Sequence, residues 1–440
     1  TRSEVPTEPA IRPAAVPQPA PAPEQNAPIV LGAEASGLGA GEPVTLPVHE
    51  LSRHVSVVAA AGSGKTVFVR RLVEEAALRG IPAIVIDVAN DLVRFGDRWP
   101  DGADPQPDRA EADRFFERTE TVVWTPGWQG GNPLSSDPLP DFAPLLDDPD
   151  ELNQAIDLAL DGLVAELKLG ASTTAKTQQA ILRRAIEHLA RHGGGSIQSL
   201  VSVLQEPPVE VTDGFANGGK LADKLATSLN SAIELNPLLR SQAGRLEFET
   251  LFGYGRPKTR ISVVNLSGLS TLDQKRAFVG RFITTLFTWI KKVPATGRPK
   301  GLVVIDEAKD FAPATTQVAS RQPILRLAAQ ARKYGLGMIM ATQEPKSIHN
   351  QVVSNCSTQV FGKALSPAAQ DSVRSMLAQL GGQAGNLAAL KTGEFYCAVP
   401  ESKLRKIRGR LCLSYHPSNP PGPEEVKAIA ARHRDLLGSE

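Results

Sequence analysis

Apolar residues along the chain follow two rhythms. Short runs with almost no polar interruption, bounded by Gly, Pro, Asp or Asn, read as buried strands. His54–Val58, Ile81–Asp87, Thr121–Trp124, Arg260–Leu266, Gly301–Ile305, Gly335–Ala341, Thr358–Ala364, Glu394–Val399 and Ile407–Leu413 have this character. Between them the spacing becomes helical. Val67–Arg79 sets Phe68, Leu72 and Ala76 on one face, and Gly80 supplies the stop. Phe278, Val279, Phe282, Ile283, Leu286, Phe287 and Ile290 form a broad stripe behind a capping-box start predicted at Ser270 and Asp273. Helices are also predicted over Pro323–Tyr334 and Pro423–Leu437. Strands alternating with helices predict an α/β fold with a mainly parallel, doubly wound sheet.

One region breaks the alternation. From Asp150 to Gln205 the pattern is helical throughout, with stripes at Ile156, Leu160, Leu163, Val164, Leu167 and at Ala180, Ile181, Ala185, Ile186, Leu189. Further helices are expected at Ile197–Leu204 and Lys220–Leu229. The expected organisation is therefore a Pro/Ala-rich, disordered linker (1–30), then a first part of the core (31–149). A helical insertion (150–250), a second part of the core (251–415) and a tail helix (416–440) follow. Gly32 to Gly41 reads as a loop of small residues, and 128–149 as loop rich in Gly, Pro and Asp. The chain opens on Thr1 rather than Met, as expected of a fragment with an upstream domain.

Composition narrows the class without naming a partner. The chain has 440 residues, 41% of them hydrophobic and 22% charged, as in soluble globular proteins. A net charge of +1 neither requires nor excludes nucleic acid. Three cysteines form no paired framework, which fits a reducing compartment, so a cytoplasmic location is expected. No apolar run reaches the length of a membrane span, and no membrane partner is expected.

The first core strand and helix enclose Ala59-Ala60-Ala61-Gly62-Ser63-Gly64-Lys65-Thr66. Strand, glycine-rich turn and helix form the context of a phosphate-binding loop. Backbone amides from Ala61 to Thr66 would face a polyphosphate at the helix N-terminus. Lys65 would reach the β- and γ-phosphates, and the Thr66 hydroxyl would ligate Mg2+. Ala59 stands where such loops usually begin with glycine, at the position least demanding of φ.

A second motif follows a buried strand: Val303-Val304-Ile305-Asp306-Glu307-Ala308. ATP hydrolysis needs one carboxylate near Mg2+ and one to polarise water; Asp306 fits the first role and Glu307 the second. The strand ending Ala341-Thr342-Gln343-Glu344-Pro345 puts an amide past the sheet edge, where ligands of α/β sheets bind. Gln343 would sense the γ-phosphate or position the water; the plainer alternative is a turn residue before Pro345. Lys403, Arg405, Lys406, Arg408 and Arg410 form a basic run, either a solvated strand face or a phosphate-contacting patch.

These motifs resemble the HerA branch of the HerA/FtsK superfamily. Arg53-His54, Thr125-Pro126-Gly127 and the stretch from Ala331-Arg332-Lys333-Tyr334-Gly335 to Gln343 carry the resemblance with them. It covers residues from about 45 to about 412. The resemblance implies a RecA-like P-loop NTPase core that binds ATP and Mg2+ and works as a ring-forming DNA translocase or helicase. Lys65 and Thr66 become the Walker A pair, Asp306 and Glu307 the Walker B pair, and Gln343 the sensor. Arg332 becomes the arginine offered to a neighbouring subunit's nucleotide, and Arg53 a second nucleotide-proximal arginine. For Arg332 the plainer alternative is a surface helix arginine. Implied partners are duplex DNA, five further copies in a homohexamer, and a nuclease or other effector. Three features depart from the family: the small Ala59-Ala60-Ala61, and Val88-Ala89-Asn90 where Pro and Gly are usual before the acid, here Asp91. The third is a proline-rich segment ahead of the core in place of a β-barrel.

Two functions remain open. One is a motor coupling ATP hydrolysis to movement on DNA; the other is an ATP-dependent assembly switch in a defence or signalling complex. A small-molecule or nucleotide kinase suits the Asp306-Glu307 pair and Gln343 less well.

Overall fold

Eleven strands form one sheet in the computed structural model, which describes residues 23–35, 41–134, 139, 140, 142–236, 239, 247–294, 296–400 and 402–437. The strands are β1 (Ile29–Glu34), β2 (Pro43–Leu46), β3 (Val55–Val58), β4 (Ala83–Asp87), β5 (Thr119–Trp124) and β6 (Thr259–Asn265). Then come β7 (Gly301–Ile305), β8 (Leu336–Thr342), β9 (Thr358–Phe361), β10 (Glu394–Ala398) and β11 (Arg405–Gly409). Their order is β2-β1-β11-β10-β9-β3-β8-β7-β4-β6-β5. All neighbours from β9 to β5 are parallel. The wing β2-β1-β11-β10 joins β9 by antiparallel pairing.

The continuous apolar runs are explained by burial on both faces. Val55, Val57, Val85, Val263, Val304 and Ile339 point to one side, against Phe68, Leu72 and Ala76 of the helix Lys65–Leu78. Ile86, Val264, Val303, Ile305 and Met340 point to the other, against the helices Leu272–Lys292 and Arg321–Gln330. The expected doubly wound parallel core is thus observed. A separate apolar core lies among the helices Pro149–Glu166, Thr173–Arg191, Ile197–Gln205 and Gly218–Leu235. Leu139, Phe142 and Leu145, from the stretch read as loop, pack into it.

Several local expectations need correction. Residues 29–34 are strand rather than linker and small-residue loop: Ile29 and Leu31 are buried, and β1 is paired on both sides. The remainder of the proline-rich opening, residues 1–22, and residues 36–40 of the expected loop lie outside the described residues. The capping box is Thr271 with Gln274, one residue later than expected; the Thr271 hydroxyl takes the N3 amide and Gln274 returns the bond. The helix expected to run to Tyr334 stops at Gln330 and tightens into a 3-10 turn, Ala331–Tyr334, closed by Gly335 at φ 75°. The last strand is Arg405–Gly409 rather than Ile407–Leu413. Helices at Arg109–Arg118 and Pro367–Gln379 had no expectation. The three cysteines are buried and unpaired, and no described helix is long and apolar enough to cross a membrane.

The parallel core leaves little room over β8. A Cβ built on Gly337 would stand 2.3 Å from the Leu51 carbonyl oxygen and 2.6 Å from Leu302 Cδ2. Gly337→Ala is therefore expected to cost about 1–3 kcal/mol of stability through overpacking. Chemical denaturation checks this; an unchanged midpoint would show that the 3-10 turn Val48–Arg53 yields freely.

Candidate active site

Four neighbouring strands, β8, β7, β4 and β6, end in polar residues at one edge of the sheet. β4 and β6 are in register through Asp87 and Asn265, and β4 and β7 through Ile86 and Ile305. Asp87, Asn265, Asp306 and Gln343 therefore emerge side by side where ligands of open α/β sheets bind. The phosphate loop leaves β3 at the same edge, separated from β7 only by β8.

The loop is held from three sides. Ala59 N donates to Thr342 O at 3.1 Å and Ala60 N to Lys363 O at 2.9 Å. Gly393 N donates to Ser63 O at 2.9 Å, and Thr392 Oγ1 to Gly62 O at 3.0 Å. Gly62 and Gly64 take φ of 71° and 88°, a backbone that side chains resist. Ala59 fits in place of glycine because Gly362 faces it: a Cβ there would stand 2.6 Å from Ala59 Cβ.

Lys65 is the centre of the charge arrangement. Its Nζ donates to Asp306 Oδ1 and to Glu307 Oε1, each at 2.7 Å. Gln343 Nε2 donates to the same Glu307 oxygen at 2.7 Å. Burial works against the Lys65 charge, but Asp306 and Glu307 outweigh it and hold the ammonium above its ordinary value. Burial likewise works against the Glu307 carboxylate, yet Lys65, Gln343 and Lys309 keep it below the usual range, and so ionised at neutral pH. Glu307 also sits at φ 50°, a left-handed conformation uncommon outside glycine. Its amide donates to Asp306 Oδ1 at 3.0 Å.

At this site two buried oxygens have no hydrogen-bond partner among the described residues, Ser63 Oγ of the loop and Glu307 Oε2. Lys309 Nζ stands 3.9 Å from the latter. Thr66, half-buried in the first turn, and Asp306 offer hard oxygens of the kind Mg2+ takes. The residues present thus fit a nucleotide with Mg2+.

Other residues of this edge lay outside the expected set. Asp87 accepts from Asn265 Nδ2 at 3.0 Å, Ala89 N at 3.2 Å and Leu92 N at 3.4 Å. Burial pushes Asp87 up to about 7, against the Asn265 bond and with the charges of Asp306 and Asp91. Asp91 is raised as well, by burial and then by Asp306. Asn90 takes φ 68°, so it serves the turn where glycine is usual. The available signal was a polar residue ending each apolar strand.

Arg332 and Arg53 do not join this group. Each precedes a strand, β8 and β3, and those strands are parallel, so both lie at the opposite edge of the sheet from Lys65. There they line one cleft of about 240 Å³ with Ser52, Arg298, Lys300 and Lys333. Arg53 Nη1 bonds Glu50 at 2.9 Å, whereas no bond holds the exposed Arg332 guanidinium among the described residues. Three of the five cations in the basic run face acids: Lys406 and Arg408 share Glu394, and Arg410 faces Glu75 and Glu111.

A glycine-rich loop after a buried strand, a lysine on paired acids and an amide on the neighbouring strand define a RecA-like P-loop ATPase core. Residues 36–286 match the family described as Helicase HerA, central domain, and the chain belongs to that family. Residues 258–366 also match the Zonular occludens toxin (Zot) family. Among curated relatives, the DNA double-strand break repair helicase HerA of Pyrococcus furiosus is 24% identical over 387 residues, covering 77% of this chain. The chain spans only 61% of that relative's length. Its namesake in Sulfurisphaera tokodaii is 27% identical over 194 residues, 41% of this chain and 39% of the relative. VirB4 of Thermoanaerobacter pseudethanolicus shares the fold with a TM-score of 0.58 at 15% identity, over 90% of this chain and 97% of its own. The plasmid coupling protein TrwB, solved with ADP and Mg2+, matches with a TM-score of 0.54 at 14% identity, covering 85% and 89%.

Glu307→Gln is expected to keep ATP binding and to lose about 10²–10⁴-fold in turnover, the usual share of a general base. Phosphate release with calorimetric ATP affinity tests this; a loss below about tenfold removes Glu307 from that role.

Proposed function

We propose that this protein is an ATP-hydrolysing motor of the HerA/FtsK type that assembles as a homohexameric ring and moves along or unwinds duplex DNA. A nuclease or other effector would act with it. One observation carries the reading: the groups a P-loop ATPase needs are split between opposite edges of a single sheet. Lys65, Thr66, Asp306, Glu307 and Gln343 form one part, Arg332 and Arg53 the other. Head-to-tail association that closes into a ring would set the arginine cleft of one copy against the phosphate loop of the next.

The roles follow from position. Backbone amides from Ala61 to Thr66 would hold the polyphosphate, and Lys65 would reach its terminal groups. Bound Mg2+, held by Thr66 and Asp306, would neutralise charge on the phosphates. Phosphate oxygens compete with Glu307 for the Lys65 ammonium, which frees the carboxylate to accept the proton of an attacking water. Gln343, already bonded to Glu307, would keep that carboxylate aimed. Arg332 of the neighbouring copy would supply the cation for charge on the transferring phosphoryl group.

The pairing of Lys406, Arg408 and Arg410 with acids and the net charge of +1 favour one second reading, an ATP-driven assembly switch without translocation. Duplex DNA separates the two. For the motor, duplex DNA raises the ATPase rate, and binding weakens steeply with salt as counterions are released. An unchanged rate with the ring intact favours the switch.

Arg332 is expected to act in trans, and such arginines are worth about 10³–10⁵ in rate in other P-loop enzymes. Lys65→Ala, which loses nucleotide binding, and Arg332→Ala should each be inactive alone. Mixed rings contain interfaces with an intact loop on one side and an intact arginine on the other. Partial recovery of activity supports action in trans; near-normal turnover by Arg332→Ala alone removes the residue from the mechanism.

A further inference from the structure

His54 is a buried side chain with no part in the proposed chemistry. It is 2% exposed, directly follows Arg53, and holds φ 65° with ψ 152°, a region almost confined to glycine. A β-carbon in that strained backbone persists only where the surroundings determine it. Both ring nitrogens are engaged. Met338 N–H donates to Nδ1 at 3.1 Å, and since an amide can only donate, Nδ1 is the acceptor. The proton therefore sits on Nε2, which donates to Ala328 O at 3.1 Å.

These two partners bracket Arg332. Ala328 lies in the last turn of the helix Arg321–Gln330, Met338 lies in β8, and the 3-10 turn Ala331–Tyr334 joins them. The backbone on the other side is fixed as well: Ser357 N donates to Arg53 O at 2.8 Å, and Thr358 N to His54 O at 3.3 Å. One imidazole thus ties the segment that ends in Arg53 to both ends of the turn that carries Arg332.

We propose that His54 is a positioning residue which, through its bonds to Ala328 and Met338, sets Arg332 and Arg53 in one cleft to meet the nucleotide of a second copy of this chain. Burial pushes its ring down to about 4, with the Ala328 bond opposing and the Arg332 charge adding, so it stays neutral beside the arginine. The proposal rests on the trans reading of Arg332. It explains why an otherwise unheld guanidinium is carried on a short, tightly anchored turn.

The test is His54→Asn, which keeps a polar group toward Met338 N–H but cannot reach Ala328 O. The variant should lose up to about 10²-fold in turnover, the scale of a misplaced catalytic group, with ATP affinity unchanged. On the residual rate of Arg332→Ala, about 10³–10⁵-fold below that of the intact protein, it should cost nothing further. Mixed with Lys65→Ala protein, it should recover activity as Arg332→Ala does, because the deficient cleft then faces an empty loop. Additive loss in the double variant, or ATP affinity falling in step with turnover, overturns the role of His54 alone. Normal turnover by Arg332→Ala overturns the trans reading, and the role of His54 with it.

Discussion

The Lys65 ammonium, held between Asp306 and Glu307, is the constraint on which the arrangement depends. A buried cation is costly unless paired, and a buried pair of acids is costly unless a cation divides them. Three charges that come from residues 65, 306 and 307 must therefore meet at one edge. The strand order β3-β8-β7 satisfies this by placing the phosphate loop and the acids on either side of one strand. The end of that middle strand is Gln343, so the amide reaches Glu307 as a consequence of the same order. Phosphate, acid and amide need no separate device to find one another.

β8 also fixes what cannot happen within one copy. Its seven residues, Leu336–Thr342, span roughly 20 Å at the usual rise of a strand. Arg332 stands before its start and Gln343 after its end. A rigid buried strand of that length keeps the arginine cleft away from its own phosphate loop. The same strand joins the cleft to the edge where Gln343 bonds Glu307.

The parallel core was readable because its strands are apolar on both faces and its motifs are local. Lys65, Thr66, Asp306 and Glu307 each sit within a few residues of the strand that identifies them. What stayed hidden is long-range. β1 contains Gly32 and Ala33 and is held between the nearby β2 and β11, the latter nearly the whole chain away. The shared cleft of Arg53 and Arg332 depends on the pairing of β3 with β8, as does the clamp made by His54. Asp87 and Asn265 become neighbours only once the β4–β6 register is known. The capping box slipped by one residue because Ser270 and Thr271 are both competent caps, and local pattern cannot choose between them.

The antiparallel wing then has a role in the site rather than at its margin. Besides Lys65, the helix Lys65–Leu78 buries four charged residues, Arg70, Arg71, Glu74 and Glu75, an arrangement that stabilises poorly but orients well. Glu74 accepts from Leu413 N and from both the amide and hydroxyl of Ser414, while burial holds its carboxyl above the usual range. Arg70 reaches Asp91 O, Arg94 O and Tyr415 O, and so ties the phosphate-loop helix to the loop of Asp91. Phe68 packs on Phe395 of β10, and Thr392 and Gly393, just before that strand, bond the phosphate loop itself. The loop is thus anchored at its back by residues more than three hundred positions away. Its shape is set by the closure of the whole sheet, and a loop so braced can lose its first glycine and keep its cradle.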